Sequence, residues 1–179
     1  MIQFILALIL TSPLGLDWTK PLSDAFREVP GYRYIYGNPN LGYFKYLGTI
    51  EGYEAELQLE SSSSFLYRAT LIIGPGGLNE INCIDTYRFF QGLLVEKYGP
   101  NFTRTIRTDP VIDDLLYVHK CHAVRIGVET ISTIWDLSDF LVELDLFGDD
   151  EIYIEITYTH KKQKKNIDKA QRKKLLKGL

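Results

Sequence analysis

Alternating apolar and polar residues mark the clearest elements of this chain. Residues 53–60 are apolar at odd positions, and their even positions are Glu54, Glu56, Gln58 and Glu60. A period of two places one set of side chains in a core and the other in water. The pattern predicts a strand, flanked by further strands over Tyr43–Ile50 and Phe65–Ile73. Residues 51–52 would form the hairpin turn between the first two.

The same alternation returns near the C-terminus. Val142, Leu144 and Leu146 alternate with polar residues, and an apolar series over residues 152–158 does the same after a turn at 148–150. Two such segments joined by a Gly/Asp turn predict an antiparallel hairpin with one solvent-exposed face.

A helical period separates these two groups of strands. Apolar residues recur at three- and four-residue spacing between residues 82 and 98: Ile84, Tyr87, Phe90, Leu94 and Tyr98. Asn82 is a candidate N-cap, and Gly99 a candidate terminator. The sequence therefore predicts an α+β fold. Its antiparallel sheet, a meander plus a C-terminal hairpin, would carry one principal helix packed on one face.

The remaining segments are less regular. Residues 18–27 suggest a short helix, 102–108 a strand, and 111–123 either a helix or a strand. Residues 16–160 are predicted to form a single domain, with residues 1–15 as a candidate signal peptide and 161–179 as a basic tail.

Charge divides the chain into two parts. Residues 161–179 hold nine basic residues and one acid, which leaves residues 1–160 with a net charge of −11. The tail, with its cations from Lys161 to Lys177, has three interpretations. It could be a solubilising extension, it could fold back on the acidic body, or it could contact an anionic surface such as lipid or nucleic acid.

Two cysteines and an apolar N-terminus bear on the compartment. Residues 2–10 have the length of a signal-peptide core and are too short to span a bilayer. Disulfides persist in exported proteins, so we expect a periplasmic or secreted protein with a Cys83–Cys121 disulfide. The alternative is a cytosolic protein in which both thiols are separate and residues 1–10 belong to the fold.

One motif series resembles a known group of proteins. The helix ends in Lys97-Tyr98-Gly99-Pro100, a Trp-containing stretch follows, and two alternating strands end at Tyr158. This layout resembles small exported bacterial α+β proteins of unknown function, over roughly residues 43–158. The resemblance implies architecture and compartment, and it implies no activity.

Candidate chemistry is sparse. The side chains of His119, Cys121 and His122, with that of Cys83, are of the types that bind zinc, but their spacing fits no standard zinc finger. The carboxylates of residues 109–139 could support a small hydrolase, although most flank predicted turns. No cofactor motif is complete, and the sequence predicts none.

The acidic strand face offers a different kind of site. Its glutamates Glu54, Glu56 and Glu60, together with Tyr153, are candidate partner-binding residues. We therefore expect a binding or inhibitor-like module for a protein partner rather than an enzyme. The alternatives are the small hydrolase and a cytosolic immunity-type protein that binds a toxin.

Overall fold

The computed structural model describes residues 13–18, 29–62, 65–108 and 120–177, with no side-chain description for residues 171 and 174–177. These residues form eight strands and three α-helices. The strands are β1 Tyr32–Asn38, β2 Tyr43–Ile50, β3 Tyr53–Ser62, β4 Phe65–Ile73, β5 Thr103–Thr108, β6 Glu129–Asp136, β7 Phe140–Asp149 and β8 Glu151–His160. The helices are α1 Cys83–Tyr98, α2 Lys120–Arg125 and α3 Lys161–Lys177.

All eight strands belong to one antiparallel sheet in the order β1-β2-β3-β4-β8-β7-β6-β5. Each group of four consecutive strands is a meander, and the two meanders join where β4 pairs with β8. Strands β1 and β5 are therefore the two edges of the sheet.

The sheet has one apolar and one polar face because its strands alternate. Leu57, Leu71, Ile156 and Leu144 occupy one row across four central strands, and all are buried. We call this side the core face. The opposite side, the polar face, carries glutamates, aspartates, threonines and serines from the intervening positions, including Glu56, Thr70, Glu155 and Asp145.

Helix α1 contributes to the core through Cys83, Tyr87, Phe90 and Leu94. The Tyr87 hydroxyl lies 2.6 Å from the Thr133 hydroxyl of β6, and both side chains are buried. Gln91 of α1 donates a hydrogen bond to the same threonine at 3.0 Å. Polar groups removed from water need such partners, so these contacts fix α1 against β6.

A disulfide joins the first turn of α1 to α2. Cys83 and Cys121 are bonded across 38 residues, with their Cα atoms 5.8 Å apart. Helix α2 also lies close to β7, because a Cβ atom at Gly148 would collide with the backbone of Val124 and Arg125. The absence of a side chain at Gly148 thus permits the close approach.

The first described segment packs against the other end of the sheet. The Trp18 ring meets Phe140 edge-on at 4.9 Å, and its indole N–H donates to the Pro13 carbonyl at 3.2 Å. Residues 19–27 of the predicted helix and residues 1–12 of the candidate signal peptide lie outside the described residues.

The structure confirms the predicted antiparallel sheet and α+β class, although the chain is mostly β. It has three described helices, and the prediction of one principal helix on one face stays a prediction. Asn82 is the N-cap residue of α1, as predicted, but its side chain makes no capping hydrogen bond. Its carbonyl instead accepts from the Thr86 hydroxyl at 3.1 Å.

Candidate binding surface on the polar face

Two of the glutamates predicted to bind a partner have partners within the chain. Lys45 forms an ion pair with Glu56 at 2.6 Å, and Gln58 donates a hydrogen bond to the same carboxylate at 2.7 Å. Glu56 is 8% exposed, so this carboxylate has little surface to offer a second molecule.

Glu60 is engaged in the same way at a β-bulge. The register between β3 and β4 shifts after Glu60, which leaves Tyr67 and Arg68 both able to reach it. The Tyr67 hydroxyl donates to Glu60 at 2.5 Å, and Arg68 lies 3.5 Å away. Burial, followed by the hydrogen bond to this carboxylate, raises the pKa of Tyr67 to about 12.

A second group of acids lies nearer the centre of the polar face. Asp145 of β7 and Glu155 of β8 are direct cross-strand partners, and Glu143 is two residues from Asp145 on the same face. We call Glu143, Asp145 and Glu155 the acidic cluster. Like charges placed directly opposite each other in an antiparallel pair destabilise it, by roughly 0.2–1 kcal/mol.

The surroundings of Glu143 and Asp145 disfavour the charged forms of these two carboxylates. Burial raises the pKa of Asp145, and a hydrogen bond from Ser132 and the charge of Arg107 oppose that shift. Burial also raises the pKa of Glu143, the charges of Asp145 and Glu155 raise it further, and the charge of Arg68 opposes the shift. A cation placed beside either carboxylate would stabilise its charged form.

A short chain of hydroxyls supports one member of the cluster. The Thr157 hydroxyl donates to Glu155 at 2.9 Å, and it lies 3.3 Å from the Thr70 hydroxyl. Because a hydroxyl has a single hydrogen, Thr70 donates to Thr157. These two hydrogen bonds hold the Glu155 carboxylate in place on the polar face.

Aromatic residues continue this surface toward the β7–β8 turn. The rings of Phe147 and Tyr153 lie 5.9 Å apart, and both occupy polar-face positions. The Tyr153 hydroxyl donates to Glu151 at 2.6 Å. An aromatic pair beside carboxylates is suited to the alkyl stem and charged head of lysine or arginine.

The structure describes Cys83, Cys121 and His122 of the predicted histidine–cysteine group. Cys121 is in the disulfide and offers no thiolate, while His119 lies outside the described residues. His122 Nδ1 lies 2.6 Å from Glu80, and Arg125 forms an ion pair with the same carboxylate at 3.3 Å. Among the described residues, no group of three or more metal-ligating side chains is close enough to hold a metal ion.

The structure places all four predicted partner-binding residues on the polar face of the sheet. Glu54, Glu56 and Glu60 share the polar face of β3, and Tyr153 lies on the same face of the sheet. The acidic cluster was missed, although the hairpin pattern carried the signal. A turn at residues 148–150 places Asp145 opposite Glu155, which the alternation alone could have shown.

The fold and this surface define a disulfide-bonded α+β protein with an acidic sheet face. The chain matches no protein-family model, no curated protein and no solved structure. Within the described residues, no helix is long and apolar enough to cross a membrane.

Proposed function

We propose that this protein is an exported, non-enzymatic binding module whose polar face receives a basic protein segment. The observation that carries this proposal is the direct pairing of Asp145 with Glu155. Natural proteins keep such locally unfavourable arrangements mainly where function requires them. A lysine or arginine from a partner would remove the repulsion on binding.

Neighbouring residues support the choice of a basic partner. Phe147 and Tyr153 offer aromatic surface beside the cluster, and aromatic residues are enriched at protein interfaces. Lys45 and Arg68 of this face contact Glu56 and Glu60, and the charges of Arg107 and Arg68 do not offset the burial that raises the pKa of Asp145 and Glu143. The acidic cluster is therefore the part of this face where a cation from a partner would be most stabilising.

Export is supported by the disulfide. A bonded Cys83–Cys121 pair is typical of oxidising compartments and rare in reducing cytosol. Intact mass after thiol alkylation, with and without reductant, tests this part of the proposal on protein from its native host. Two cysteines that alkylate without reduction would contradict export.

The binding proposal is tested with an oligolysine peptide and titration calorimetry. Glu143→Gln combined with Asp145→Asn should weaken binding roughly tenfold, because two charges facing the peptide are lost. Salt should weaken binding to the unaltered protein in the same direction.

The matched control removes the same charge elsewhere. Asp85→Asn with Glu96→Gln changes two exposed acids of α1, and it should leave the affinity within about twofold. Equal losses in the two double variants would show that the peptide responds only to net charge. That result, or no binding to the unaltered protein, would refute the proposed site.

A further inference from the structure

A groove runs between α3 and the polar face of the sheet, at the end away from the β7–β8 turn. Its volume is about 490 Å³, within the range of small-molecule sites. Leu141 and Thr159 line it from β7 and β8, and α3 supplies the remaining lining residues, Lys161, Lys164, Lys165, Asp168, Lys169 and Arg172.

The helical spacing of these residues is informative. Positions 161, 164, 165, 168, 169 and 172 form one continuous stripe along three turns of α3. A helix that lies on a sheet normally turns apolar residues toward it at these positions. Five of the six groove-lining positions of α3 are lysine or arginine, so the side of α3 that faces the groove is basic.

Part of this charge is balanced within the chain. Lys161 forms an ion pair with Asp136 and donates to the Leu137 carbonyl, and Lys164 lies 3.1 Å from Asp168. In the described part of the chain, Lys165, Lys169 and Arg172 make no ion pair. The groove therefore keeps an excess of positive charge.

The walls of the groove are chiefly carbon. Leu141 is apolar, and the lysine side chains present their methylene stems below charged heads. The lining contains no aromatic ring on which a base could stack, which disfavours a nucleic acid strand. An apolar channel with cations at its rim matches a molecule with an apolar chain and an anionic head.

We propose that this groove binds a single anionic amphiphile of the long-chain carboxylate class. The chain of the ligand lies along Leu141 and the lysine stems, and its carboxylate meets Lys165, Lys169 and Arg172. This site is separate from the acidic cluster, so its failure would leave the proposed binding of a basic segment unaffected.

The test uses the full chain, sodium oleate below its micellar concentration, and titration calorimetry. We expect saturable binding of one oleate per chain and much weaker binding of the uncharged oleyl alcohol. Lys165→Gln with Lys169→Gln should weaken oleate binding roughly tenfold or more, because both cations face the groove.

A matched variant removes two cations of the same helix outside the groove lining. Lys162→Gln with Lys173→Gln should leave oleate affinity within about twofold. Leu141→Asn should weaken binding without changing net charge, since it alters the apolar floor. Circular dichroism of each variant checks that the fold is retained.

Several results would overturn the proposal. Equal weakening by the two lysine pairs would show attraction to net charge, and equal binding of oleyl alcohol would show no role for the cations. Binding to anionic vesicles without binding to monomeric oleate would assign α3 to a membrane surface. Absence of saturable oleate binding would also refute it.

Discussion

Asp145 shows at the scale of one residue how a carboxylate can oppose folding and serve recognition. It lies opposite Glu155, and burial raises its pKa above the ordinary value. A group whose pKa is raised in the folded state stabilises that state below its unfolded pKa. This contribution is lost as the pH rises through the folded pKa.

Asp145→Asn should therefore remove part of the pH dependence of stability. Above the ordinary aspartate pKa of 3.8, the variant should gain stability relative to the unaltered protein, reaching roughly 0.5–1 kcal/mol at neutral pH. Urea unfolding from acidic to neutral pH measures this difference. Glu96→Gln, at an exposed position, is the control, and a destabilised Asp145→Asn at neutral pH would contradict the argument.

Gly148 is a second position where one residue decides local packing. Its Cβ position is occupied by the backbone of Val124 and Arg125, which cannot give way as a flexible side chain could. Gly148→Ala should lower the free energy of unfolding by about 1–3 kcal/mol. Gly92→Ala is the matched control, since no atom lies within 4 Å of its Cβ position and α1 should gain stability there. Equal thermal shifts in the same direction would refute this account.

At the scale of elements, two hydrogen bonds connect α1 to the sheet. The Tyr87–Thr133 contact joins α1 to β6, and Trp135 of β6 donates to the Gly99 carbonyl at 2.9 Å, at the end of the same helix. These two bonds fix both the middle and the end of α1 relative to one strand.

Tyr87→Phe should cost about 1–2 kcal/mol, because the buried Thr133 hydroxyl loses a partner. Thr133→Val should cost a similar amount, and the double variant should cost less than the sum of the two. Urea unfolding of the four proteins gives the coupling energy. As a control, Tyr36→Phe on the exposed edge strand should leave the free energy of unfolding nearly unchanged. If the effects of the Tyr87 and Thr133 substitutions are strictly additive, the contact between them does not contribute to stability.

Sequence patterns predicted the regular elements well and the irregular ones poorly. The predicted bounds of β2 and β4 are confirmed, and each strand buries several side chains in the core. Strand β1 was missed as a strand because it is an edge with a bulge near Ile35 and little burial. Helix α2 has only six residues, and it depends on the disulfide and on contacts with β7 that no local pattern reveals.

The candidate site follows the same rule. The polar face of β3 was predicted correctly, but Glu56 on it is buried, and its pairing with Lys45 depends on strand register across a hairpin. The direction of the basic stripe of α3 could not be predicted, because cations at sheet-facing positions contradict the usual amphipathic pattern.

At the scale of the whole molecule, the disulfide connects parts that are distant in sequence. It spans 38 residues and ties α1, which follows the first meander, to α2, which precedes β6. A loop of this size lowers the entropy of the unfolded chain and stabilises the fold by roughly 3–4 kcal/mol.

Reductant should therefore lower the urea midpoint of the unaltered protein. The double variant Cys83→Ser with Cys121→Ser should match the reduced protein and show no further response to reductant. An unchanged midpoint after reduction would show that the cross-link adds no measurable stability.

The sheet order also has a kinetic consequence. Six of the seven ladders join strands that are neighbours in sequence, and only the β4–β8 ladder joins remote ones, such as Arg68 with Thr159. Each meander can form by adding one hairpin after another, whereas pairing of β4 with β8 requires closure of a long loop. The slow step of folding is thus expected at the middle of the sheet, where two locally assembled halves meet, rather than at either edge.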